Sequence, residues 1–359
     1  MIKKLFIGVG GIFLVLAVIV SAVIYWASKF SLSTQELEKL RATQVSDIPY
    51  LQNTLPSTRG KILAVVTSTR MLGNTGRLTG YELTELARAY WVFKANGFEV
   101  DIASTAGGEP YALLDDEDMG AYDYAFLNDA TAQHKAKNTI KVSEVTADNY
   151  QAIYFVGGKG AMFDFPDSQE VSNLAASFAV QNKVIAAVCH GPAALINAKG
   201  TNGEWLVANK KVSAFTNAEE LLLIPNAEIV FPFLLQTKLQ ERGANFIAGS
   251  DYLEQVSISE KLITGQNPWS VWRVAEETVR LLGYEPLVRA TTPEENSVAL
   301  LKIYSKDGLG VAETTVRNNK YKYYGRLILM HAFVAFMKWE PRNGFKLMIL
   351  ADSLKRVSS

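Results

Sequence analysis

Val184-Ile185-Ala186-Ala187-Val188-Cys189-His190-Gly191-Pro192 decides the fold of this chain, and it holds the only cysteine, Cys189. A run of apolar, partly β-branched residues leads into the cysteine, the pattern of a strand buried on both faces. A helix-compatible stretch follows. The expected arrangement is a strand turning sharply into a helix with a nucleophile at the corner. Such an elbow needs small residues two positions either side, because the backbone is crowded there, and Ala187 and Gly191 meet that need. His190 is placed to serve as base or charge partner for the thiol. A cysteine at a helix start feels unpaired N–H groups and the positive end of the helix dipole, so its pKa is expected below the ordinary value of about 8.5. The same residues also fit a buried, inert cysteine. The rest of the chain must decide between the two.

Working outward, residues 61–68 form another continuous apolar run, followed by a helical pattern over 80–96 that Gly97 stops and an expected strand at 98–103. Further strands are expected at 124–127, 152–156, 211–214, 245–248 and 262–264, most of them separated by helical patterns. This alternation predicts a parallel sheet covered on both faces, with the site at the carboxyl ends of the strands. Gly157 and Gly158 follow an apolar strand, where backbone N–H groups can approach a reacting oxygen closely. Gly158, together with the amide after the nucleophile, that of His190, is therefore the candidate oxyanion hole. Residues 107–150 are richer in Gly, Asp, Asn and Thr, and their acidic run Asp115-Asp116-Glu117-Asp118 reads as a solvated loop.

The chain has 359 residues, 48% of them hydrophobic and 20% charged, which is the composition of a core-forming protein. A formal net charge of zero gives no reason to expect a nucleic-acid partner. One cysteine excludes an intrachain disulfide and a CxxC zinc site, and three histidines (His134, His190, His331) argue against a multi-histidine metal centre. No GxGxxG or P-loop fingerprint is present, so no cofactor is expected. Residues 5–27 carry no charge, and at about 1.5 Å per helical residue they can cross a hydrocarbon core of about 30 Å. Residues 1–28 are accordingly expected to be an uncleaved membrane anchor, with a cleaved signal peptide as the rival. Lys3 and Lys4 before the span put the N-terminus in the cytoplasm and the catalytic domain outside, a single-pass membrane localisation. Residues 29–57 read as a stalk and 286–359 as a C-terminal extension of unassigned role. In that extension Thr292-Pro293-Glu294-Glu295 looks like a helix start. Residues 324–339 form an aromatic helical stretch, packed on the domain or lying in a membrane interface, in which His331 reads as a packing residue.

Seven motifs in register carry a resemblance. They are Thr-Gly-Tyr-Glu-Leu-Thr-Glu-Leu at 79–86, Gly-Phe-Glu-Val-Asp-Ile-Ala-Ser at 97–104, Tyr-Phe-Val-Gly-Gly-Lys-Gly at 154–160, the Cys-His-Gly-Pro elbow, Ser-Ala-Phe-Thr-Asn-Ala-Glu-Glu at 213–220, Pro-Phe-Leu-Leu at 232–235 and Ile-Thr-Gly-Gln-Asn-Pro at 263–268. In that order the chain resembles the ThiJ/PfpI superfamily over residues 58–285, closest to its heat-shock chaperone and glyoxalase III branch. The resemblance implies an α/β fold, a three-layer parallel-sheet sandwich (flavodoxin-like, class I glutamine amidotransferase-like), here with an N-terminal transmembrane helix and a C-terminal helical extension. It also implies catalytic roles for Cys189, His190, Glu85 and Glu220. Glu85 matches the buried glutamate that faces the cysteine, with Glu82 as the alternative one turn away. Glu220 matches the acid that orients the histidine, with Glu219 as its neighbour. Residues 107–150 are similar to an insertion that helps wall off the site, and Lys159 stands where histidine is common. The implied reaction is cofactor-independent, stress-related conversion of a small 2-oxoaldehyde such as methylglyoxal to a 2-hydroxy acid through a Cys189 hemithioacetal. The alternatives are a cysteine peptidase or amidohydrolase, and a chaperone or redox sensor without catalysis; glutamine amidotransfer fits worst, because no late His/Glu pair follows the elbow. The expected partners are the aldehyde substrate and the membrane, and a homodimer is the assembly kept open.

Overall fold

The computed structural model describes residues 28, 30–115 and 118–358. Residues 40–290 form one compact unit, and residues 291–358 belong, with the described residues up to 39, to another. The larger unit is built on a seven-stranded sheet. Its strands are β1 (Lys61–Val66), β3 (Glu99–Ser104), β5 (Ile140–Lys141), β6 (Ala152–Phe155), β7 (Val184–Val188), β10 (Val256–Ser259) and β11 (Leu262–Gly265), in the order β10-β11-β7-β6-β1-β3-β5. All neighbours pair in parallel except the edge strand β10, which runs antiparallel to β11. Two short parallel pairs stand apart: β2 (Tyr81–Glu82) with β4 (Ala112–Leu113), and β8 (Lys211–Val212) with β9 (Asn245–Phe246).

The central strands are apolar at every position because helices cover both faces, so no alternation is left to read. Leu63, Val65, Ile153, Phe155, Ile185 and Ala187 point to one side, into a core completed by Val171, Leu174, Ala175 and Phe178 of helix Gln169–Val180. Their sequence neighbours point to the other side. There Tyr154 meets Phe93 edge to face, with ring centroids 5.8 Å apart, under helices Leu83–Ala95 and Val271–Leu281. Burying both faces of the sheet brings the carboxyl ends of β1, β6, β7 and β11 together at one rim, where the loops that follow them meet.

Several expectations are corrected by these elements. The transmembrane helix in the expected fold class, the membrane partner and the single-pass localisation with a cytoplasmic N-terminus do not stand: no helix among the described residues is long and apolar enough to cross a membrane. The longest, Pro341–Ser358, carries Arg342, Lys346 and Asp352 along its length, and the most apolar, Gly325–Met337, spans only about 20 Å. Residues 5–27, on which those expectations rested, lie outside the described residues. Residues 124–127 are helical, not extended. They belong to Ala121–Asn128, whose amino end is capped by Gly120 N–H donating to Asp123 Oδ2 at 2.8 Å. A short apolar run buried on all sides reads alike as strand or helix. The stretches 211–214 and 245–248 pair with each other outside the main sheet, and edge strand β10 was not foreseen. Ile48, Tyr50 and Leu51, within the expected stalk, are buried in the larger unit.

The smaller unit holds helices Pro293–Asp307, Leu309–Asn318, Gly325–Met337 and Pro341–Ser358. Thr292 and Glu295 form a reciprocal capping box, with Thr292 Oγ1 accepting from Glu295 N and Thr292 N donating to Glu295 Oε2, as the helix-start signal at 292–295 leads one to expect. His331 is buried among these helices.

Candidate active site

Cys189 stands at the carboxyl end of β7 with φ +58°, in the left-handed region that a cysteine enters only under constraint. Two hydrogen bonds hold it there: its N–H donates to Gly265 O, and its carbonyl accepts from Phe215 N–H, both at 2.9 Å. The next turn presses on β6. A Cβ on Gly191 would lie 2.2 Å from Phe155 O, so only glycine fits two residues after the cysteine. The segment that follows is a 3₁₀ helix of five residues, Gly191–Leu195. The α-helical dipole expected to acidify the thiol is therefore replaced by that of a short 3₁₀ segment. Cys189 is 3% exposed. Burial, then the carboxyl groups of Glu85 and Glu82, push its thiol well above the ordinary range, while the Lys159 ammonium opposes them. The expected lowering of the thiol pKa is thus reversed.

Glu85, fully buried, lies in the first turn of helix Leu83–Ala95, which brings its side chain over the elbow. Its Oε2 accepts from Gly157 N–H at 2.8 Å, and its Oε1 is buried with no hydrogen-bond partner among the described residues. Burial, reinforced by Glu82, pushes the Glu85 pKa up to about 8. At neutral pH this group is a carboxylic acid, able to donate a proton to a partner beside the sulfur. Glu82, at the amino cap of the same helix, is half-buried, and its carboxyl reaches neither Gly157 nor the thiol by hydrogen bond. The structure thereby separates the two register alternatives.

On the other side of the sulfur, His190 Nδ1 lies 3.2 Å from Cys189 Sγ, and His190 Nε2 lies 2.5 Å from Glu220 Oε2. A carboxyl oxygen that accepts the Nε2–H leaves Nδ1 as the lone pair facing the thiol. The imidazole is 1% exposed and lies between the rings of Phe215 and Phe231, with centroids at 4.6 and 6.2 Å. Glu219 and Glu220 share helix Asn217–Leu223 but part in role. Glu219 closes the capping box with Thr216 and accepts from Tyr252 N–H (2.7 Å), Asn267 Nδ2 (3.0 Å) and Gln266 Nε2 (3.1 Å). It is occupied in holding loops together, which leaves Glu220 to the histidine.

Gly157 and Gly158 fill the remaining side. A Cβ on Gly157 would come within 2.8 Å of Cys189 Cβ, and one on Gly158, at φ +103°, within 2.5 Å of Gly80 O. The N–H groups of Gly158 and His190 donate to no acceptor among the described residues. All the residues singled out from the sequence (Cys189, His190, Glu85, Glu220 and Gly158) thus meet around one sulfur. Other participants were missed. Arg88, one turn after Glu85, forms a buried ion pair with Asp123 at 3.0 Å and donates to Asp118 O at 2.6 Å, tying the helix that carries Glu85 to the segment 118–123. Asp164 accepts from Thr67 Oγ1 (2.7 Å), Thr105 Oγ1 (2.6 Å) and Ser68 N–H (2.8 Å), fixing the loops after β1 and β3. Helical spacing from Glu85 was a signal for Arg88; nothing local marked Asp164. Among the described residues no group of three or more His, Cys, Asp or Glu side chains is arranged to hold a metal ion.

The family model for the DJ-1/PfpI family matches residues 77–281, which include Cys189, His190, Glu85, Glu220 and Gly158. The chain belongs to the DJ-1/PfpI family. It is 30% identical over 217 residues to a glutathione-independent glyoxalase of Schizosaccharomyces pombe, covering 58% of this chain and 90% of that protein. It is 27% identical over 226 residues to glyoxalase 3 of Candida albicans, covering 61% of this chain and 96% of that protein. Among solved structures it is similar to the Rapid Encystment Protein 24 KDa of Francisella tularensis, with 34% identity, a TM-score of 0.59, and coverage of 62% of this chain and 99% of that one. The family match ends ten residues before the smaller unit resumes at Thr291.

Proposed function

We propose that this protein is a glyoxalase III-type enzyme that converts small 2-oxoaldehydes to 2-hydroxy acids without glutathione, using Cys189 as a covalent nucleophile. The observation that carries the reading is the continuous relay Glu220–His190–Cys189, closed on the far side of the sulfur by the protonated Glu85. Relatives named as glutathione-independent glyoxalases support it. So does the burial of the nucleophile at 3% exposure, which suits a substrate of a few atoms and disfavours an extended peptide.

The chemistry follows from the positions. Sγ attacks the aldehyde carbon C1 as its proton passes to His190 Nδ1, 3.2 Å away, and on to the aldehyde oxygen, giving a hemithioacetal. The N–H groups of Gly158 and His190 receive that oxygen as it gains charge. His190, neutral again and oriented by Glu220, accepts the proton from C1; the acid of Glu85 holds the sulfur side and keeps the site free of a second negative charge. Return of the proton to C2 gives a 2-hydroxyacyl thioester, which water cleaves to the 2-hydroxy acid and the free thiol. Glu85, one turn ahead of Arg88, owes its acid form to burial, so the relay depends on the site staying dry.

The test is D-lactate formation from methylglyoxal by the purified full-length chain and its Cys189→Ala variant. Turnover by the unmodified chain and none by the variant is the expected result. Equal turnover by both would overturn the reading.

A further inference from the structure

The mechanism above leaves one charged side chain at the rim unused. Lys159 directly follows Gly158, whose amide is free, and it is half-buried, yet its side chain makes no hydrogen bond or ion pair with any described residue. Its backbone is held firmly. Glu82 N–H donates to Gly157 O at 3.2 Å, Gly160 N–H donates to Gly80 O at 3.3 Å, and a Cβ on Gly158 would lie 2.7 Å from Glu82 N. The turn 157–160 is therefore clamped between the elbow on one side and residues 80–82 on the other. A Cβ on Gly157, two residues before Lys159, would come within 2.8 Å of Cys189 Cβ, so the lysine leaves its turn close to the reacting sulfur, and its charge acts on both the Cys189 thiol and the Glu82 carboxyl.

A 2-oxoaldehyde differs from a simple aldehyde in having a second carbonyl at C2. Once the C1 oxygen occupies the Gly158 and His190 amides, loss of the C1 proton sends an electron pair toward the C2 oxygen. No backbone donor of the pair is left for that atom. We propose that Lys159 is a further catalytic residue: its ammonium hydrogen-bonds the C2 oxygen of a 2-oxoaldehyde bound to Cys189 and stabilises the enediolate. The C1–H bond breaks and its proton goes to His190, its electron pair becomes the C1=C2 bond, and the C2=O pair moves onto oxygen facing Lys159. The C1 hydroxyl proton then passes to the C2 oxygen, and the proton on His190 returns to the C2 carbon. The product is the 2-hydroxyacyl thioester, an isomer of the hemithioacetal, and Lys159 ends as it began.

This inference rests on the glyoxalase reading and is tested on the full-length chain by two measurements: turnover of methylglyoxal, and the rate at which iodoacetamide alkylates Cys189. Lys159→Met is expected to lower kcat on the order of 10²-fold, the usual loss for one transition-state donor, while Lys159→Arg stays within about tenfold. Alkylation needs no C2 oxygen and reports only the help the lysine charge gives the thiolate, so it is expected to fall by no more than about tenfold in Lys159→Met, well short of the loss in kcat, and to change by less than about threefold in Lys159→Arg. A Lys159→Met kcat within about threefold of the unmodified chain would overturn the proposal. Should that variant fail to fold, Lys159→Gln is read by the same criteria. Lactate formation that is lost in Cys189→Ala but survives in Lys159→Met sinks this inference alone; a chain that makes no lactate at all sinks the glyoxalase reading with it.

Discussion

The two ends of β7 make similar backbone turns for different reasons. At the amino end Asn182 has φ +52°, and at the carboxyl end Cys189 has φ +58°. Asn182 closes helix Gln169–Val180, with its N–H donating to Ala179 O and the Lys183 N–H to Phe178 O. Asparagine takes this left-handed cap at little cost, and the turn is set by its own neighbours in sequence. Cys189 gains no such local help. Its conformation is imposed by Gly265 O, by Phe215 N–H and by the glycine-only contact of Gly191 with Phe155 O, all from other strands and loops. The polar groups differ in the same way. Lys183 Nζ donates to Ala147 O at the amino end, whereas the carboxyl end buries Glu85, His190, Glu220 and a thiol together. Strain and burial at one end of a strand, and relaxed capping at the other, mark where the fold spends stability on chemistry.

That contrast can be broken from several sides. The largest effect is expected from the buried proton. Because the Glu85 pKa is raised in the folded state to about 8, its contribution is fully present below the unfolded value of about 4.5 and is lost as pH rises through about 8. Against Glu85→Gln, the unmodified chain should lose on the order of 4–5 kcal/mol across that window, at about 1.4 kcal/mol per pH unit. Urea unfolding at a series of pH values measures it, and parallel curves for the two proteins would remove the protonated acid from the site. Next comes Gly191→Ala. Its methyl meets a backbone oxygen that cannot move without β6, so a loss of about 3 kcal/mol is expected in the same assay, together with loss of turnover. Third, Glu220→Gln keeps the shape of the relay but removes the charge behind His190. A fall in kcat of about a hundredfold is expected, with folding intact, and unchanged kinetics would show the His–Glu contact to be structural only. The smallest effect sharpens the contrast from the other end: Asn182→Gly should shift stability by no more than about 0.5 kcal/mol and leave turnover alone.

Much of the site was legible in the linear chain, and the gaps have physical causes. The elbow could be read because a strained turn restricts residue type locally, at Ala187, Cys189 and Gly191. Glu85 and Glu220 could be named only beside neighbours that competed with them. Helix register decides between Glu82 and Glu85, and the cap at Thr216 decides between Glu219 and Glu220. The run 124–127 was misread because full burial erases the periodicity that tells helix from strand. The apolar residues 5–27 led to a membrane reading that no described helix supports.

What the sequence determined by itself was the candidate nucleophile, the strand–helix alternation and the small residues that a crowded corner demands, since each is written in adjacent positions. The tertiary structure alone decided the protonation of the site. A dipole argument drawn from neighbours put the thiol low, but burial and two carboxyl groups delivered by a distant helix raise it. Desolvation and charge act through space, and their sum at Cys189 exists only after residues more than a hundred positions apart have been brought to one rim of the sheet.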